Sequence, residues 1–151
     1  MPAQARNKCN SPFVSSAPFL DLGDSTAGDH IIQGVLGERG NWRWTLDHAV
    51  LVFSLNGSLN WELRTRFSVT EETFSRTGPL TMSFSINHKL IATETVNEPG
   101  ERVFTCLVPK GVIQSGELTE VMVDTEPSWI SPKDGAKLAF LLQSIGFVSK
   151  A

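Results

Sequence analysis

The first guide to this 151-residue chain is what it lacks. It has no apolar run near the ~20 residues that a membrane-spanning helix needs. No continuous apolar segment follows Arg6 and Lys8, so the N-terminus does not read as a cleaved secretory signal, and the location reads as cytoplasmic. There is no basic excess: 13 Lys and Arg stand against 16 Asp and Glu, giving a net charge of −3. With a pI of about 5.6, the footprint of a nucleic-acid binder is missing. The cations are also scattered, which argues against docking on an anionic membrane. The only cysteines, Cys9 and Cys106, are too few for a disulfide scaffold; one lies in a polar leader and the other in an apolar strand pattern, so a bond between them is the less expected state.

Catalytic signatures are missing too. No Gly-x-Ser-x-Gly elbow occurs. His30, His48 and His88 lack metal-ligand spacing. A glycosidase needs two carboxylates at a set separation, and the pair that loops could bring together is Glu38 with Asp134. The chain therefore reads as a protein that binds rather than catalyses, with no cofactor.

What is present is β-structure. The organising stretch is Gly34 to Leu55. Its first half reads as a glycine-punctuated loop with Glu38, Arg39, Trp42, Arg43 and Trp44. Its second half, His48 to Leu55, has the composition of a buried strand. Leu59 to Val69 alternates apolar and polar residues, which predicts a half-buried strand with Trp61 in the core. Leu80 to Ile86 alternates in the same way, Asn87-His88 predicts a turn, and Lys89 to Val96 returns as the partner strand. Further strands are predicted over residues 13–20 at an edge, 30–36, 42–45, 102–108 and 118–125. Residues 21–29 and 70–79 read as loops. Residues 1–12 read as a flexible leader, and 13–151 as one domain, which at this length has enough residues for a core without staples.

The last segment is ambiguous on local signals. Ser131-Pro132 resembles a helix start and Leu138, Leu141, Leu142 and Ile145 have helical spacing, yet Phe140, Ile145, Phe147 and Val148 favour a strand. About nine strand candidates with turns between them predict an all-β fold: a two-sheet antiparallel β-sandwich of jelly-roll type.

Two linked stretches carry a family likeness: Gly34 … Gly37-Glu38 … Gly40-Asn41-Trp42-Arg43-Trp44-Thr45 … Ala49-Val50-Leu51, and Trp129-Ile130-Ser131-Pro132 … Asp134 … Lys137-Leu138-Ala139-Phe140 … Ser144-Ile145-Gly146-Phe147. Over residues 20–149 the chain resembles the galactose-binding-like jelly-roll domain found in bacteria beside or fused to glycosyltransferases and cell-surface polysaccharide proteins. Val35 stands where that family has an aromatic residue, Lys137 where it has arginine, and Ala139 where it has glycine. The resemblance implies that the last segment is a strand preceded by a loop over residues 131–136, and that the domain is an accessory binder of sugar or glycan.

Sugar binding needs an aromatic face and a few orienting polar groups. Trp42 and Trp44 are two residues apart and share a face, with Arg43 on the other; that face is either a stacking platform or part of the core, with core expected for at least one of the two, and Trp129 is expected to plug one end of the sandwich. The candidates for carbohydrate contact are Glu38, Arg39, Trp42, Arg43, Trp44, Trp129, Asp134 and Lys137. A simpler role for Glu38 is to fasten its loop by pairing with Arg43 or Lys137. Asp21, Asp24 and Asp29 offer oxygen ligands of the kind Ca²⁺ takes, but their spacing matches no calcium loop and reads as solvated turns. The alternative function is a structural or interaction domain, homodimeric through a sheet face or edge strand.

Overall fold

The computed structural model describes residues 17–24, 26–37, 42–133 and 135–150. The leader, the first part of the predicted 13–20 strand, Cys9, Glu38, Arg39 and Asp134 lie outside those residues. Ten strands run through the described chain: β1 (Phe19–Asp21), β2 (Ile31–Val35), β3 (Arg43–Ser54), β4 (Asn60–Val69), β5 (Leu80–Ile86), β6 (Lys89–Val96), β7 (Gly100–Leu107), β8 (Leu118–Glu126), β9 (Trp129–Ile130) and β10 (Lys137–Lys150). A 3-10 turn (Ala27–His30) precedes β2, and one helix, α1 (Glu71–Thr77), follows β4. No helix among the described residues is long and apolar enough to cross a membrane.

The strands pair antiparallel in the order β6-β5-β8-β3-β10-β4-β7, with β1 and β9 added to β10 and β2 added to β3. This is the predicted all-β antiparallel sandwich, nearly closed. The hinge of the architecture is β3. Its first residues pair with β10, as far as Leu46 opposite Leu138. From His48, opposite Asp124, it pairs with β8. The sequence predicts two strands broken near Leu46-Asp47; the chain instead keeps one strand there and changes its partner.

The core follows from alternation. Leu80, Met82, Phe84 and Ile86 of β5 are fully buried, as are Leu63 and Phe67 of β4, and Trp61 is 8% exposed as expected of a core tryptophan. Its indole Nε1 donates to the Asn56 carbonyl at 2.8 Å. Phe147 meets Phe53 edge-on at 5.4 Å and Trp61 at 6.4 Å. The last segment is a strand of fourteen residues, bulged between Leu138 and Leu141 where it passes β3. The Asn87-His88 turn has positive φ at both residues (52° and 69°), as a tight hairpin requires.

Two elements were not foreseen. Helix α1 occupies part of the predicted 70–79 connection. Thr70 caps it by accepting from the Thr73 amide at 3.1 Å, Glu71 and Glu72 sit in its first turn, and Gly78 ends it at φ 72°. Strand β9 is two residues long and pairs Trp129 with Leu138. The two ends of the strand order, β6 and β7, face each other without pairing. They are joined by Arg102 and Glu94 at 3.2 Å, and Phe84 stacks on Phe104 at 4.4 Å.

Candidate functional site

Where β3, β10 and β9 lie side by side, the register aligns Leu46 with Leu138 and Leu138 with Trp129, while Trp44 is opposite Leu141. Cross-strand partners project to the same side. The inward positions here are taken by Thr45, Ala139, Phe140 and Leu142, all buried. Trp44, Leu46, Leu138, Leu141 and Trp129 consequently form an outward strip, each half-buried. The buried Thr45 hydroxyl donates to the Phe140 carbonyl at 3.2 Å, which ties the strip's two main strands together beneath it.

The predicted residues divide clearly. Trp42 and Trp44 are both half-buried and lie two apart on the side of the strip. Arg43 turns the other way, and its Nε donates to the Leu22 carbonyl at 3.1 Å, fastening the loop after β1. It works as a clamp on the fold and not as part of the strip. Trp129 joins the strip through β9, although its sequence context reads as a loop. The Arg76 guanidinium of α1 lies 5.1 Å from its ring centroid, so a cation already covers part of that ring. Trp44 has no such cover among the described residues. Lys137 is exposed at the start of β10, opposite Ile130.

A second feature was not visible in the sequence. His48 Nδ1 and Asp124 Oδ1 are 2.5 Å apart, and both side chains are nearly half exposed. They stand on the wall of an open cavity of about 530 Å³, with Ser83 of β5 directly across from Asp124. The partners are 76 residues apart in the chain. Only the β3–β8 register brings them together, and no local motif signals it.

Other concave places are less suited to a ligand. A hollow of about 560 Å³ on the outer side of β4 and β7 contains Arg64 and Arg66, but Glu62 and Glu101 neutralise them. A cleft of about 320 Å³ at one end of the sandwich is walled by Trp61, whose indole nitrogen is already used by Asn56. The thiol of Cys106 is free; burial, and secondarily the Glu62 carboxylate, push it above the usual thiol range.

The acidic loop after β1 is built for turns. Asp21 Oδ1 accepts from the Gly23 amide at 2.9 Å, and Asp24 Oδ1 accepts from both the amide and the hydroxyl of Thr26, each at 2.9 Å. The amide and then the hydroxyl of Thr26 hold the Asp24 carboxyl below its ordinary value. Among the described residues no three His, Cys, Asp or Glu are grouped to hold a metal ion.

No protein-family model matches the chain. No curated protein matches it either. Among solved structures it is similar in fold to part of an acetyl xylan esterase from the rumen bacterium Butyrivibrio proteoclasticus, with a TM-score of 0.51 at 14% identity over 87% of this chain and 32% of that one. It also aligns with a family GH115 4-O-methyl-alpha-glucuronidase with specificity for decorated arabinogalactans, with a TM-score of 0.47 at 10% identity over 98% of this chain and 20% of that one. The chain thus spans about a third and a fifth of the lengths of these two proteins.

Proposed function

We propose that this is a non-catalytic saccharide-binding domain, an accessory to enzymes that build or process bacterial glycans, and that the strip on β3, β10 and β9 is its stacking surface. The observation that carries the reading is the fate of the tryptophans. Trp61 is spent in the core, whereas Trp44 and Trp129 are held half-buried on one outer strip with leucines between them. An aromatic ring fixed on a rigid strand can stack on the C–H face of a sugar at low entropic cost. The likeness in fold to part of an esterase named for xylan supports saccharides as the first ligands to test. The link to glycan-building enzymes rests on the sequence resemblance.

Calorimetric titration with xylo-oligosaccharides and galacto-oligosaccharides is the test. Binding is expected in the micromolar to millimolar range. Trp44→Ala is expected to weaken it about tenfold or more, which is ~1.4 kcal/mol, and Trp129→Ala less, because Arg76 already occupies part of that ring. No saccharide bound at millimolar concentration would refute the reading.

The alternative, an interaction domain, has one observation on its side. Val103 and Leu107 are 58% and 67% exposed on the edge strand β7, which pairs with β4 on one side only. A homodimer joined there would be seen as twice the monomer mass in light scattering, and Val103→Lys would dissociate it. A monomer at all concentrations removes this alternative.

A further inference from the structure

The strip does not end at Leu46. Along β3, Trp44, Leu46 and His48 fall at alternate positions, and the strand passes from one sheet to the other between Leu46 and His48. The strand that presents the tryptophan therefore also walls the 530 Å³ cavity. The cavity's other main wall leads to the same place: Glu126 of β8 lines it, and only Pro127 and Ser128 separate that residue from Trp129. Both walls thus run directly into the strip, from two sides. Four residues of extended chain reach at most ~14 Å, so Trp44 and His48 are within that distance.

The cavity differs from the strip in chemistry. Ser83, Asp124 and His48 lie in one row across β5, β8 and β3. The bond between Asp124 Oδ1 and His48 Nδ1 fixes both groups and leaves the second carboxylate oxygen and Nε2 without another partner among the described residues. Thr81 and Ser85 add hydroxyls on either side of Ser83. Alternating donors and acceptors at fixed positions suit the hydroxyls of a sugar ring. Asp47, Leu90, Thr125 and Glu126 complete the wall; with Asp124 it carries three carboxylates and no Lys or Arg, so an acidic sugar would meet like charge.

We propose that the tryptophan strip and this cavity are two ends of one elongated site, which takes a neutral oligosaccharide rather than a single sugar or an acidic glycan. This inference rests on the saccharide-binding reading above and adds the length and charge of the ligand. The strip supplies stacking that any sugar can use. The cavity supplies hydrogen bonds that only a chain reaching past Leu46 can make.

The test is calorimetric titration of the full chain with xylobiose, xylotetraose and xylohexaose, and with oligogalacturonides of the same lengths. Affinity is expected to rise about tenfold or more from the dimer to the longer chains, the gain expected of one or two hydrogen bonds to charged groups. Asp124→Asn and, separately, Ser83→Ala are expected to bring the long chains down to the affinity of the dimer and leave the dimer unchanged; both residues are on the surface, and circular dichroism checks that the variants fold. Trp44→Ala is expected to weaken all lengths alike. The galacturonides are expected to bind at least tenfold more weakly than the xylo-oligosaccharides of the same length. Affinity independent of length, with neither cavity variant altering it, overturns the elongated site and leaves saccharide binding at the strip intact. Galacturonides that bind as well as the xylo-oligosaccharides overturn the charge selection. No binding by any saccharide, with Trp44→Ala indistinguishable from the parent, overturns both readings.

Discussion

Gly34→Ala is expected to lose on the order of 3–5 kcal/mol of stability, the range in which a single substitution is diagnostic of a specific collision. A Cβ built on Gly34 would stand 2.0 Å from the His48 carbonyl oxygen, 2.6 Å from the Ala49 Cα and 2.8 Å from the His48 carbonyl carbon. All three are backbone atoms, so no side chain can swing aside. The residue also has φ of +81°, a conformation that costs an alanine roughly 1–2 kcal/mol by itself. A control separates the two effects. Gly78 ends α1 at φ +72°, and a Cβ there meets nothing within 4 Å. Gly78→Ala should therefore show the conformational cost alone. The measurement is the midpoint of urea denaturation for both variants. Equal shifts would mean that the close approach at His48 is relaxed at no cost. The collision lies at the point where β3 changes partner, so a folded remnant of Gly34→Ala is expected to bind long saccharides worse than short ones.

The second large effect concerns the aromatic cluster. Phe147→Ala should cost about 3–5 kcal/mol, against a total of about twice that in a domain of ordinary stability. Phe147 is 1% exposed, and it is edge-on to both Phe53 and Trp61. Phe53 in turn packs on the buried His30 ring at 4.9 Å, whose Nδ1 lies 2.9 Å from the Val52 carbonyl. Removing one ring leaves a cavity that the Phe53 and Trp61 rings border. A fall in melting temperature on the order of 10 °C is expected, and Phe147→Leu should recover more than half of it because most of the volume returns. A Phe147→Ala protein that melted with the parent would mean that the sheet had closed over the gap.

Much of this architecture can be read from side-chain order. Leu80 to Ile86 alternates without exception and is a strand with those bounds, and the Asn87-His88 pair predicts the hairpin that follows. Alternation along β4 assigns Trp61 to the interior correctly. What could not be read has particular causes. Helix α1 has too few apolar residues to show a period: Phe74 packs on the core from a run of Glu, Thr, Ser and Arg. Its only signals are the Thr70 cap, the acidic first turn and Gly78. Gly34 lies inside β2, within the strand predicted over residues 30–36; what the sequence does not show is its role there, which is to let β3 pass close by. The final strand has helical spacing at Leu138, Leu141 and Leu142 because the bulge between Leu138 and Leu141 inserts a residue and shifts the alternation. The site was half legible. Trp44 and Trp129 could be named as candidates, but Arg43 could be assigned to the fold only once its bond to Leu22 was seen. The His48–Asp124 pair depends on a register that no local pattern encodes.

One strand of twelve residues belongs to both layers of this protein. Neither layer can therefore be peeled away while the other stays whole, and no cut between residues 43 and 54 would leave a fragment with an intact set of neighbours. A shell sewn along a single common thread has to come undone all at once, and a ligand lying across that thread would grip both layers with the same hold.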